Sequence, residues 1–357
     1  TILILGSSTL LLKAIRTQRL SYWMIYAATV AIGLYSHLFF AFSLIAQSIY
    51  MLLFYWRQWK TYLIPFVMSA GAGVLAFGPW ALVVLLKLDK IDENTQWVQG
   101  RRSSIVSIIR TAIDSLGNTF FDLDNSLPRW ENYSDFLFFI LTALAVYCLI
   151  RWSPKRVSAF VLLPVIVTTT ILVIPDVISG GGRFAQSRYL VPTLLSLELV
   201  LAYFISNAMR NSKYNWERLA WSGVFSLSLL FGTVSGMRIA KSPNWDYLDQ
   251  GNTASVKNLE LAPIINAAKK PLIISTATHS FLLALSYEVD DHVDFQLLQG
   301  ASPEEWSALL DISKAQQDYS DIFIYGSDQE FFEFLLTTYG LEPEAAFEHT
   351  LYKLPES

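Results

Sequence analysis

The first 240 residues of the chain hold long apolar stretches with no polar stripe, and this feature limits its folds more than any other. A helix on the surface of a soluble core shows an apolar face and a polar face; a run that is apolar all round needs apolar surroundings on every side. In hydrocarbon, each backbone N–H and C=O must be bonded within its own segment, so such runs are helices. Seven stretches are predicted to cross a bilayer, at about 20–37, 38–56, 61–87, 136–152, 157–178, 189–209 and 219–237. An earlier apolar run, Thr1–Leu12, reaches only about 18 Å as a helix, against the roughly 30 Å of a hydrocarbon core. No basic leader precedes it, which argues against a signal peptide. The expectation is a partial first span whose start lies upstream of Thr1.

Charge divides the chain where hydropathy does. Residues 1–240 carry 20 Lys/Arg against 11 Asp/Glu, and residues 241–357 carry 6 against 19. The basic part is also the apolar part, and the acidic tail would repel phosphate backbones, so nucleic acid is not an expected partner. Cys148 is the only cysteine, which excludes a disulfide within the chain. The fold expected is an α-helical polytopic membrane bundle, about seven spans plus a partial first one, over 1–240. A C-terminal extracytoplasmic α/β domain follows over 241–357.

Orientation follows from the short connections. Lys13, Arg16 and Arg19; Arg57 and Lys60; Arg151, Lys155 and Arg156; and Arg210, Lys213 and Arg218 occupy one alternating set, with Glu217 as its lone acid. The positive-inside tendency puts that set in the cytoplasm of a plasma (inner) membrane, and puts the loops 88–135 and 179–188 and the tail outside. In the outer loop, Ile105, Ile108, Ile109, Ala112, Ile113 and Leu116 recur at helical spacing near Arg101, Arg102 and Arg110. This predicts an amphipathic helix, lying on the bilayer or capping the bundle. In the tail, Pro271–Ser275, Val293–Leu298 and Asp321–Tyr325 read as buried strands, Phe347–Leu354 as a last strand, and 279–287, 303–311 and 328–339 as helices. No glycine-rich phosphate loop follows any of these strands.

Candidate chemistry gathers at the expected outer turns. His37, in Gly33-Leu-Tyr-Ser-His37, can hold a metal or a phosphate or move a proton; its plainer reading is an interfacial imidazole. In Ser179-Gly-Gly-Gly-Arg183-Phe-Ala-Gln-Ser-Arg188-Tyr189, glycines allow close backbone approach and two arginines suit an anionic group. The alternative there is a flexible hairpin with snorkelling anchors. Glu198 falls near mid-span, facing either a polar cavity or a hydrogen-bonded helix interface. Asp122 and Asp124 have the D-x-D spacing of some metal sites but read better as a solvated turn. Ser69 and Gly73 stand at the spacing that lets helices pack closely.

The segments "IYAATVAIGLYSHLFFAFSLIAQSIYMLL" and "GRFAQSRYLVPTLLSLELVLAYFI" resemble the GT-C superfamily of membrane glycosyltransferases. The nearest resemblance is to bacterial relatives of the protein O-mannosyltransferases and of the lipid A aminoarabinose transferase. The resemblance implies transfer of a sugar from a polyprenyl-phosphate donor to a glycan, lipid or protein acceptor at the outer face, with a possible divalent metal. It implies donor-phosphate contacts from Arg183, Arg188 and Tyr189, and a metal or phosphate contact from His37. The acid that serves such enzymes as base would lie upstream of Thr1, so this chain alone is expected to be inactive. Two other readings stay open: a polytopic transporter with Glu198 on its path, and a non-catalytic membrane anchor with an outer binding domain.

Overall fold

The structure is a computed structural model that describes residues 1–88, 104–120, 128–241, 253–277, 279–298, 302–327, 329–347 and 350–355. Arg101, Arg102, Asp122 and Asp124, singled out above, lie outside the described residues. The chain divides into two compact units, Thr1–Arg238 and Ile239–Ser357.

The first unit is helical. Its elements are α1 (Ile2–Thr17), α2 (Leu20–Ser36), α3 (Phe40–Tyr55), α4 (Leu63–Leu86), α5 (Ile105–Phe120), α6 (Pro128–Trp152), α7 (Lys155–Ser179), α8 (Val191–Asn211) and α9 (Asn215–Lys241). Among the described residues, five stretches are long and apolar enough to cross a membrane: Leu63–Leu86, Asp135–Trp152, Lys155–Ser179, Val191–Asn211 and Asn215–Arg238. The expected spans at 20–37 and 38–56 are shorter. The break at His37–Phe39 leaves α2 with 17 residues and α3 with 16, about 25 Å each at 1.5 Å per residue.

A membrane-type bundle accounts for what these helices leave uncovered. Leu75 on α4 and Ile178 on α7 are each 78% exposed, and Leu219 on α9 is 74% exposed. Faces of this kind are stable against lipid and costly in water. Inside, Leu11, Trp23, Tyr26, Val30, Met51 and Phe66 form one core across α1–α4, and Ala145, Cys148, Leu149, Val200 and Phe204 form a second across α6 and α8. A polar seam crosses the first core: the Tyr26 hydroxyl donates to Gln47 Oε1 at 2.8 Å, and Gln47 Nε2 donates to Ser7 Oγ at 3.2 Å. At the basic turns, Lys13 lies over Tyr22, Lys60 over Trp59 and Arg156 over Tyr55. Aromatic rings with cations above them are common anchors where a bilayer meets water.

The second unit is an α/β fold. Its elements are α10 (Thr253–Asn266), β1 (Pro271–Ser275), α11 (His279–Ser286), β2 (Asp294–Leu297), α12 (Pro303–Leu309), α13 (Ile312–Asp318), β3 (Asp321–Tyr325), α14 (Gln329–Tyr339), β4 (Glu344–Phe347) and β5 (Leu351–Lys353). The sheet order is β2-β1-β3-β5-β4. β1 pairs in parallel with β2 and β3, and β5 runs antiparallel to β3 and β4. Leu272 and Ile274 face one apolar cluster with Trp306 and Phe331; Ile273 and Phe323 face another with Leu261 and Leu285. Burial on both faces explains why β1 and β3 read as continuous apolar runs. The single last strand expected at Phe347–Leu354 is two arms, β4 and β5, paired with each other.

Candidate functional site

The turn after α2 and the segment between α7 and α8 are 150 residues apart in sequence and meet in space. His37 has extended backbone at the end of α2, and its Nδ1 accepts the Phe39 N–H at 3.2 Å. In the neutral ring this places the proton on Nε2, which is therefore a donor. Burial lowers the His37 pKa below its ordinary value, and the positive charge of Arg188 lowers it further. Two of the expected site residues are thus within electrostatic reach of each other. Phe39 joins their turns: its ring lies 5.2 Å from the His37 ring and 4.2 Å from the Tyr189 ring. The Arg188 guanidinium sits over the Tyr189 ring at 5.2 Å.

Beneath this rim lies an apolar cluster of Phe42, Leu172, Phe184 and Leu190, against which Phe39, Tyr189, Ile108 and Ala112 pack. Ile108 and Ala112 belong to α5, so that helix caps the cluster. Leu116 is also buried on this helix, whereas Val106 and Ile109 are 76% and 52% exposed. One face of the helix is thus packed on protein, as the capping reading expected, and Val106 and Ile109 lie where the protein leaves the helix uncovered.

Arg183 is held within its own loop. Its Nη1 donates to Asp176 Oδ1 at 3.0 Å and to the Gly180 carbonyl at 3.1 Å. The Asp176 carboxylate, 1% exposed, also accepts the Phe184 N–H through Oδ2 at 2.8 Å. Arg183 thus forms an ion pair inside its own loop with its side chain 31% exposed, and Arg188 is the more exposed arginine at the rim. The pairing has a physical cause. Asp176 lies in the last turn of α7, where the helix dipole disfavours an anion, and its burial requires a compensating cation. Of the three glycines after α7, Gly180 and Gly181 have φ of 75° and 136°, values that side chains rarely tolerate.

Glu198 is half-buried on α8, about two helical turns beyond Leu190, and is not part of the rim cluster. The sequence reading passed over Asp176 and Phe39. An acid at a helix C-terminus seven residues before an arginine was the available signal for the first; nothing in the spacing marked the second. Among the described residues there is no group of three His, Cys, Asp or Glu side chains that could hold a metal ion. His37 does not suit one either: ligation through Nε2 would put the ring proton on Nδ1, which already accepts from Phe39, and Arg188 adds positive charge nearby. Comparison with family models, with curated proteins and with solved structures gave no match.

Proposed function

We propose that the chain belongs to a multi-pass membrane transferase of the GT-C kind, which takes a sugar from a polyprenyl-phosphate donor at the extracytoplasmic face. The observation that carries this reading is the meeting of His37 and Arg188 across the Phe39–Tyr189 ring contact. A guanidinium and a neutral imidazole donor stand above an apolar cluster, which suits a phosphate whose chain continues into lipid. Basic residues with aromatic partners gather at the opposite helix ends, so the positive-inside tendency turns this rim outward. The acidic α/β unit would then lie on the acceptor side.

In the proposed reaction the acceptor's hydroxyl or amine attacks the anomeric carbon, the bond from that carbon to the phosphate oxygen breaks, and the acceptor's proton passes to a base. That base is not assigned to any described residue. Arg188 and His37 would hold the phosphate and offset the charge it gains as it leaves, a stabilisation that grows toward the transition state. Arg183 has no direct contact in this scheme, and no step needs a metal.

The test is transfer from a polyprenyl-phosphate sugar by the full-length protein in lipid nanodiscs. Arg188→Gln should cut turnover by about tenfold or more, in line with the loss of a charged hydrogen bond, and His37→Ala should act in the same direction. Full activity in both variants would end the proposal.

A further inference from the structure

We propose that Asp176 is the positioning residue of the headgroup site, and that Arg183 acts as its strut rather than touching the phosphate. The inference rests on the headgroup reading above and deepens it by dividing the labour between the two arginines. Both oxygens of Asp176 are engaged, one by the Arg183 guanidinium and one by the Phe184 N–H. A carboxylate buried to 1% exposure at the end of a helix is stable only while such donors stay in place, so the loop is held to one course. Phe184 is the point at which this matters for the rim. Its buried ring lies in the cluster with Leu190, and Tyr189 packs on that cluster. Fixing the Phe184 backbone therefore fixes one ring of the cluster that backs Tyr189, and through it the arginine stacked there. The two positive-φ glycines give the loop freedom that only an added tether removes.

The contacts of Arg183 support its part in this division. Arg183 Nη1 is shared between Asp176 and the Gly180 carbonyl, so its charge is offset within the loop. Arg188 is the arginine that the rim exposes, stacked on Tyr189.

Binding of a long-chain polyprenyl monophosphate would be measured with the full-length protein in phosphatidylcholine nanodiscs. Asp176→Asn, Arg183→Gln, the pair together, Asp176→Glu and Arg188→Gln are compared with the native protein. Asp176→Asn should weaken binding by about tenfold, Arg183→Gln should weaken it similarly, and the pair should be no worse than either alone. Asp176→Glu should recover part of the affinity, a rescue that loss of bulk packing would not give. If Arg183 instead bound the phosphate, freeing it by Asp176→Asn would strengthen binding, and that sign overturns the proposal.

Limited trypsin digestion gives an independent readout, because Arg183 and Arg188 are cleavage sites within the loop. Asp176→Asn should speed cutting there by several-fold, and unchanged cutting with unchanged affinity would remove the tether. Faster cutting with affinity unmoved in every variant, Arg188→Gln included, would instead defeat the headgroup reading and with it the positioning role.

Discussion

The two units use apolar residues in opposite ways. In the α/β unit Ile273, Ile274, Tyr325, Phe331 and Leu351 are fully covered, and the central strands β1 and β3 are sealed on both faces. In the helical unit residues as apolar as Leu75 and Ile178 face outward, while Ser7 and Gln47 lie inside. Helix ends differ too. Among the described helices, α1, α2, α3, α4, α7 and α8 begin without a side-chain cap bond. In the α/β unit Ser302 and Glu305 form a reciprocal cap on α12, and Asp311 caps α13. Where water is the solvent, hydrophobicity separates inside from outside and caps define helix ends; where lipid is, neither signal is needed, and polar side chains mark the interior instead.

The contrast should break first at the cores. Phe331→Ala opens a hole in a close-packed cluster and should cost the α/β unit about 3–5 kcal/mol, read by denaturant unfolding. A matched pair of surface changes follows. Leu75→Asp on α4 should impair membrane insertion by about 3 kcal/mol, whereas Leu336→Asp on α14, 51% exposed, should shift stability by only about 0.5 kcal/mol. An insertion assay showing Leu75→Asp to be harmless would remove the lipid-facing assignment. Ser302→Ala should cost about 1 kcal/mol by loss of the α12 cap.

The smallest effects concern pH. Burial pushes the Asp321 carboxyl up, but Lys353 and Ser320 outweigh it and hold its pKa below the ordinary 3.8. The folded state therefore binds protons less readily than the unfolded one. The stability this pair contributes is present above pH 3.8 and lost as pH falls through the lower, folded value, and Asp321→Asn should flatten that acid limb. At the helical unit His37 is also depressed, from 6.5, so the unfolded chain protonates first and stability falls as pH drops below 6.5. Thermal scans across both windows, with His37→Gln as the control, distinguish the two groups.

What the sequence revealed follows from the same contrast. Apolar runs placed α4, α7, α8, α9 and the apolar part of α6, Asp135–Trp152, to within a few residues, because length and composition suffice for a helix in lipid; the polar first turns of α6 from Pro128 went unread. The Ser69–Gly73 spacing also marked a real close approach: a Cβ at Gly73 would lie 2.7 Å from the Ala27 carbonyl oxygen of α2. In the α/β unit, α10 went unread because Pro263 sits inside it and its apolar periodicity is weak. α13 was missed because its seven residues follow α12 so closely. At the site, His37, Arg188 and Tyr189 stood out as polar residues at turns. Asp176 did not, because a lone acid within an apolar run looks like part of the span until its partner is seen.

The ring contact between Phe39 and Tyr189 also bears on how the protein is made. One ring is synthesised early and the other only after α7 has been completed, so the rim cannot exist while the chain is partly threaded. Its cation and its imidazole come together only once α8 has docked beside α3. Assembly of the rim thereby reports that the bundle has closed, and a chain arrested before α8 docks would lack it.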